Sequence, residues 1–180
     1  MFKTVRYFAF VTLSLCSIVK AATAPPQPGS DALGRWVGGK WVGDGKLVDS
    51  AYSRAMTVGG VTRCAWSPDH IFVVCDQDVT ANGKPGRDLS IYAFDPEKSA
   101  YHMFGMSPSG ERPRVTDLSI SSDRNRWEYL GKAEIDGKSV QFRTVNVFRD
   151  ADHVDWWSEY STDGGANWTR MGQGSEARQK

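Results

Sequence analysis

Hydrophobic and polar positions change period once along this chain, near residue 40. Before that point Leu33 and Val37 lie four apart, which puts both on one face of a short helix with Ser30 as its N-cap and Gly38-Gly39 as its end. After it, short runs rich in Val, Ile, Thr, Phe, Tyr and Trp alternate with turn signals. These include Asp44-Gly45, Gly59-Gly60, Asn82-Gly83, Asp95-Pro96, Ser109-Gly110, Asp136-Gly137 and Asp163-Gly164-Gly165. Asp-Gly and Asn-Gly supply the positive φ angles that tight hairpins demand. The clearest hairpin runs from Trp127 to Ile135, turns at Asp136-Gly137 and returns from Lys138 to Phe148. A second joins His153–Ser161 to Asn167–Met171. The pattern predicts about ten strands with no helices between them, which excludes a parallel βαβ sheet.

A sandwich or a closed barrel remains, and the face composition leans to the barrel. From Val140, one face carries Val140, Phe142, Thr144, Asn146 and Phe148, the other Gln141, Arg143, Val145 and Val147. From His153, one face carries His153, Asp155, Trp157 and Glu159, the other Val154, Trp156, Ser158 and Tyr160. Neither strand has a cleanly dry face. A barrel with a partly polar interior cavity produces such mixing, and so does a half-solvated edge strand. The expected fold is a mostly β, antiparallel up-and-down barrel of about ten strands with a short N-terminal helix.

The first segment is different in composition. Lys3 and Arg6 precede an almost wholly apolar run from Tyr7 to Val19, and small residues follow at Ala21, Ala22 and Ala24. That is the layout of a secretory signal peptide over residues 1–24, cut after Ala21 to Ala24. The run is short for a membrane span, which needs about 20 residues, so no stable membrane insertion is expected after cleavage. Residues 25–29 read as a Pro-rich tether, 30–174 as the barrel, and 175–180 as a flexible C-terminal tail. The leader carries Lys3, Arg6 and Lys20; without it, 19 basic face 21 acidic residues, a formal charge of −2. A slightly acidic body offers no electrostatic footprint for nucleic acid. Export to a periplasmic or extracellular compartment also gives the cysteines a meaning. Cys16 leaves with the leader, and Cys64 and Cys75 flank a Pro68-Asp69-His70 turn that sets them opposite each other as a disulfide.

The segment Gly39-Lys40-Trp41-Val42-Gly43-Asp44-Gly45 resembles the Gly-x-Trp opening of calycin-type barrels, the superfamily of lipocalins and fatty-acid-binding proteins. Its spacing is also similar to the Gly-x-Trp-x-Gly-x-Gly opening of nitrobindin-like haem barrels. A wider resemblance takes in the short helix with Leu33, the Trp41 strand, the Cys64-x-Trp66 hairpin, Tyr92-Ala93-Phe94-Asp95 and the Ser161–Gly165 turn with Trp168. These features resemble the bacterial secreted proteins of the domain-of-unknown-function family numbered fifteen seventy-nine. That resemblance implies a calycin-like barrel and supplies no substrate.

No catalytic constellation is written along the chain. There is no Gly-x-Ser-x-Gly elbow, no phosphate-cradling loop, and no His-x-x-x-His or Cys-x-x-Cys motif, so no catalytic residue, metal ligand or cofactor is assigned. His70, His102 and His153 read as surface residues. Ser161 to Trp168 matches the Asp-box of propellers, but it occurs once and reads as a hairpin turn. Seven tryptophans, with Met103 and Met106, point instead to an apolar pocket. The expected function is binding of a small apolar or amphipathic ligand among Trp41, Trp66, Tyr92, Phe104 and Trp157, with Arg143 and Tyr160 fixing its orientation. The alternatives are a barrel-based hydrolase or isomerase using a cavity carboxylate, a structural or interaction protein with a filled barrel, and a haem-binding nitrobindin-like barrel.

Overall fold

The computed structural model describes residues 29–106 and 114–180. The expected leader, and residues 25–28 of the expected tether, lie outside the described residues. Ten antiparallel strands follow a 3-10 helix over Ser30–Trp36. They are β1 (Lys40–Leu47), β2 (Met56–Trp66), β3 (Phe72–Ala81), β4 (Lys84–Asp95), β5 (Ala100–Met106), β6 (Arg114–Ile120), β7 (Arg126–Ile135), β8 (Lys138–Phe148), β9 (His153–Ser161) and β10 (Thr169–Gln179). Each strand pairs with its sequence neighbours, and β1 pairs with β10, so the sheet closes into an up-and-down barrel. Closure removes the free edges that an open sheet presents to other chains. Among the described residues no helix is long and apolar enough to cross a membrane.

The turn chemistry does what the sequence requires. Asn82 and Gly83 both have positive φ, 49° and 75°, and so do Asp136 and Gly137, at 51° and 71°. These are the mirror-image turns whose twist matches the flanking strands. The helix departs from expectation. Ser30 is not its N-cap but its first residue, fully buried, and Gly29 takes the cap position with φ 96°. The helix is 3-10 rather than α, so the buried pair is Leu33 and Trp36, three apart, not Leu33 and Val37. A second correction concerns the C-terminus. Ser175 to Gln179, expected as a flexible tail, are the end of β10: Lys40 pairs with Gln179 and Gly43 with Glu176, while Glu176 also pairs with Val154 of β9. Pairing on both sides holds a segment whose intrinsic strand preference is weak.

The helix lies across one end of the barrel and closes it. Leu33, Trp41, Val73, Trp127 and Val154 are wholly buried there, with Trp36 and Phe148 almost so. Trp36 meets Trp41 and Phe148 edge-on at 5.1 Å, and Trp41 meets Phe148 at 5.8 Å. The Trp41 indole N–H donates to the Trp36 carbonyl at 3.1 Å, which ties the first strand to the helix end. Arg178 of β10 lies over the Trp41 ring at 4.5 Å and donates to the carbonyls of Val37 and Arg35 at 3.0 and 2.6 Å. One cation thus satisfies two carbonyls at the helix end and packs on the plug beneath them.

Cys64 and Cys75 are direct cross-strand partners in β2 and β3, with Cα atoms 4.1 Å apart, and they form a disulfide. The bridge closes a loop of 11 residues. Reduction is expected to lower the unfolding free energy by about 2–3 kcal/mol, through the wider freedom of the unfolded chain. Urea unfolding with and without a phosphine reductant measures this; an unchanged midpoint would show that the bridge adds nothing.

Candidate functional site

Successive residues of a strand point to opposite faces, so each strand sends every second side chain into the barrel. Below the helix these are bulky. Farther along they become small or polar, and a cavity of about 760 Å³ opens between them. Trp36, Tyr92, Tyr129 and Asn146 form its floor. Its walls carry Thr62, Gln77, Ser90, Met103, Thr116, Phe142, Thr144, Trp156 and Glu176. A second lobe runs along β1 and β2 and shares Thr62, Gln77, Asp88, Arg114, Trp156 and Glu176 with the first. The mixed faces of β8 and β9 are thereby resolved: Phe142, Thr144, Asn146 and Trp156 face inward.

The seam between β1 and β10 shapes one wall. A side chain at Gly43 would collide with Glu176, and one at Gly45 or Gly174 would collide with the Trp156 ring. Three glycines therefore give up strand stability and leave room for a carboxyl and an indole laid along the wall. Gly131 and Gly105, on the far side, border open space and ordinary contact respectively.

The polar groups of the floor face one another. Tyr92 and Tyr129 have their rings 6.3 Å apart, and the Asn146 amide reaches the Tyr129 hydroxyl at 3.5 Å. Burial pushes the Tyr92 phenol up to about 12 and moves Tyr129 upward as well, so both stay neutral at ordinary pH. The Trp36 indole N–H faces the Tyr129 hydroxyl, which it favours in the ionised form against the larger effect of burial. On the wall, Glu176 is half-buried, and burial pushes its carboxyl up to about 7.

Of the residues the sequence singled out for ligand contact, Tyr92 lines the cavity. Trp41 is sealed in the end plug. Trp66 packs against Gly34 of the helix and stacks on His70, at the closed end. Tyr160 shares the inward face with its partner Phe142 but sits beyond the lining, where Tyr52 covers it at 4.7 Å. Phe104, Arg143 and Trp157 lie on the outer face, each beside an inward neighbour: Met103, Thr144 and Trp156. There Arg143 and the Trp157 indole N–H both bind Glu159, at 2.7 and 3.2 Å. Met103 and Met106 do border the cavity.

No histidine lines it. His70 stacks on Trp66, His102 lies 3.6 Å from Asp117, and His153 lies 2.9 Å from Asp150. The cavity therefore lacks a histidine ligand for a haem iron, and among its lining residues only Tyr92, Tyr129, Met103 and Met106 are of a type that can ligate one. The Asp-box segment is a turn: Asp163 accepts from the Asn167 backbone and side chain at 2.9 and 2.7 Å, and these bonds hold its carboxyl down at about 2. The turn presents Trp168 to Arg143, 4.0 Å away on the outer surface.

The sequence reading missed Glu176, Trp36, Trp156 and Tyr129 as site residues. Trp156 and Tyr129 carried a signal, as aromatics in clear strands. Glu176 carried none, because it lies in a segment that reads as a polar tail.

No protein-family model matches the chain, and no curated protein matches it. Solved structures do share its fold. Rv2717c from M. tuberculosis is 17% identical, with a TM-score of 0.58 over 87% of this chain and 100% of that one. The S-type phycobiliprotein lyase CPES from Guillardia theta is 12% identical, with a TM-score of 0.53 over 83% of this chain and 92% of that one. At these identities the likeness is one of fold.

Proposed function

We propose that this chain is an exported calycin-like barrel that binds a small amphipathic ligand in its cavity, and that it is related to the secreted family its sequence resembles. The observation that carries the reading is the cavity itself. Its volume of about 760 Å³ falls in the range of small-molecule sites, and its lining mixes aromatic walls with scattered polar groups. The buried hydroxyls of Tyr92 and Tyr129 on the floor give a ligand's polar group something to meet. Export is supported by the three-part N-terminal pattern and by the disulfide, which persists in oxidising compartments. Among the described cavity residues no nucleophile is hydrogen-bonded to a base, which favours binding over covalent catalysis.

Two measurements test this together. Native mass spectrometry of the protein purified from its source is expected to show a retained small molecule. Nile red, a neutral dye that brightens in apolar surroundings, is expected to bind the emptied barrel. Gly131→Phe should weaken dye binding at least ~10-fold without loss of fold, since a side chain there enters open cavity space. A variant that binds the dye as well as the parent would move the site out of the cavity.

A further inference from the structure

We infer that the ligand carries a protonated nitrogen, received by the Glu176 carboxylate beside the Trp156 ring on the glycine-walled side of the cavity. The inference rests on the cavity reading above and names the chemical class of the occupant.

Glu176 and Trp156 are neighbours by register. Gly174 pairs with Trp156, and Glu176 follows two residues along the same face of β10. Gly43, Gly45 and Gly174 keep the wall around them bare, so both groups face the cavity and not other side chains. No side chain among the described residues hydrogen-bonds or ion-pairs with Glu176, and burial is the whole cause of its raised pKa. An uncompensated carboxylate in such a place destabilises the fold. Groups of that kind concentrate at functional sites.

The surrounding charges decide the sign of the ligand. Asp44, Lys84, Asp88, Arg114 and Lys132 border the two lobes that Glu176 lines, along with the neutral Tyr92 and Tyr129. The three cations are exposed at the rim. Asp44 is exposed like them, and Asp88, half-buried, repeats the sign of Glu176. The charge withdrawn into the cavity is therefore negative, and its complement is missing from the described protein. An ammonium group supplies it and also finds the face of an indole, which attracts cations. A ligand carboxylate would be repelled, and a hydroxyl would leave the charge uncompensated. Glu176 has no hydrogen-bonded proton partner of its own among the described residues. The two facing tyrosines are pushed up and keep their protons at neutral pH.

The test is displacement of Nile red from the purified protein by dodecylamine, dodecanol and dodecanoate, each below its aggregation concentration, at about pH 8. The amine is expected to displace the dye at a concentration at least ~10-fold lower than the alcohol, and the carboxylate to be the weakest. In Glu176→Gln the amine and alcohol should fall within about twofold of each other, with the alcohol's own value unchanged. The amine's advantage should shrink from about pH 8 to about pH 6 as the free carboxyl takes up its proton. Failure of the dye and of all three amphiphiles to bind would overturn the cavity reading itself. If the alcohol binds but the amine has no advantage, or if Glu176→Gln keeps that advantage, the cavity reading survives and the present inference falls.

Discussion

Trp41→Ala is expected to remove about 3–5 kcal/mol of stability, seen as a lower urea midpoint with an unchanged slope. The side chain has no contact with solvent. It fills the space between the helix and the barrel, packs against Trp36 and Phe148, carries Arg178 on its face and donates to the Trp36 carbonyl. Alanine would leave a cavity too enclosed to collapse, an unpaired carbonyl, and an arginine with nothing beneath it. Phe104→Ala is the matched control. That ring is 41% exposed on the outer face, and its loss should cost within about 0.5 kcal/mol. Equal effects at the two positions would show that Trp41 is not a plug.

The second large effect has the opposite sign. At about pH 8 Glu176→Gln is expected to be more stable than the parent by about 3 kcal/mol, and at about pH 4 to show no advantage. The carboxyl stands near 4.5 when the chain is unfolded and about 7 when it is folded, so the folded state holds this proton more tightly. The group's contribution is therefore fully favourable below about 4.5. It is lost as pH rises to about 7 and stays lost above that. Other carboxyls pull the other way: hydrogen bonds from Asn167 lower Asp163, and Arg87 lowers Asp76, so both favour the fold at higher pH. The difference between variant and parent isolates Glu176 from them. Equal stability of the two at about pH 8 would show that the carboxylate is solvated or paired in the folded protein. A gain in stability from removing a native side chain is the expected mark of a residue retained for binding.

These two residues differ in how visible they were. Trp41 sits in a Gly-x-Trp opening whose glycines and lone aromatic announce a tightly coiled first strand, though reading it as a ligand contact put it in the cavity and not in the plug. Glu176 lies in Gly-Gln-Gly-Ser-Glu-Ala-Arg-Gln, which contains no β-branched or aromatic residue and reads as a tail. It is a strand because both neighbours bond to it, and that cause lies elsewhere in the chain. Choosing ligand contacts by residue type also placed Phe104, Arg143 and Trp157 inside, when the register turns them outward.

What the sequence by itself determined is therefore local. Asn82-Gly83 and Asp136-Gly137 set hairpins because few other residue pairs accept two positive φ angles, and a short turn between Cys64 and Cys75 brought the sulfurs opposite each other. Strand order followed, since each hairpin joins sequence neighbours. The tertiary structure alone decided which face of each strand is interior and where the ring closes. A two-residue period shows that a strand has two faces, but burial by the other strands selects one of them. Closure joins Lys40 to Gln179 across nearly the whole chain, and that pairing carries Glu176 to the cavity wall. No local pattern encodes it, because the glycines that make room and the carboxyl that fills it come from opposite ends of the domain.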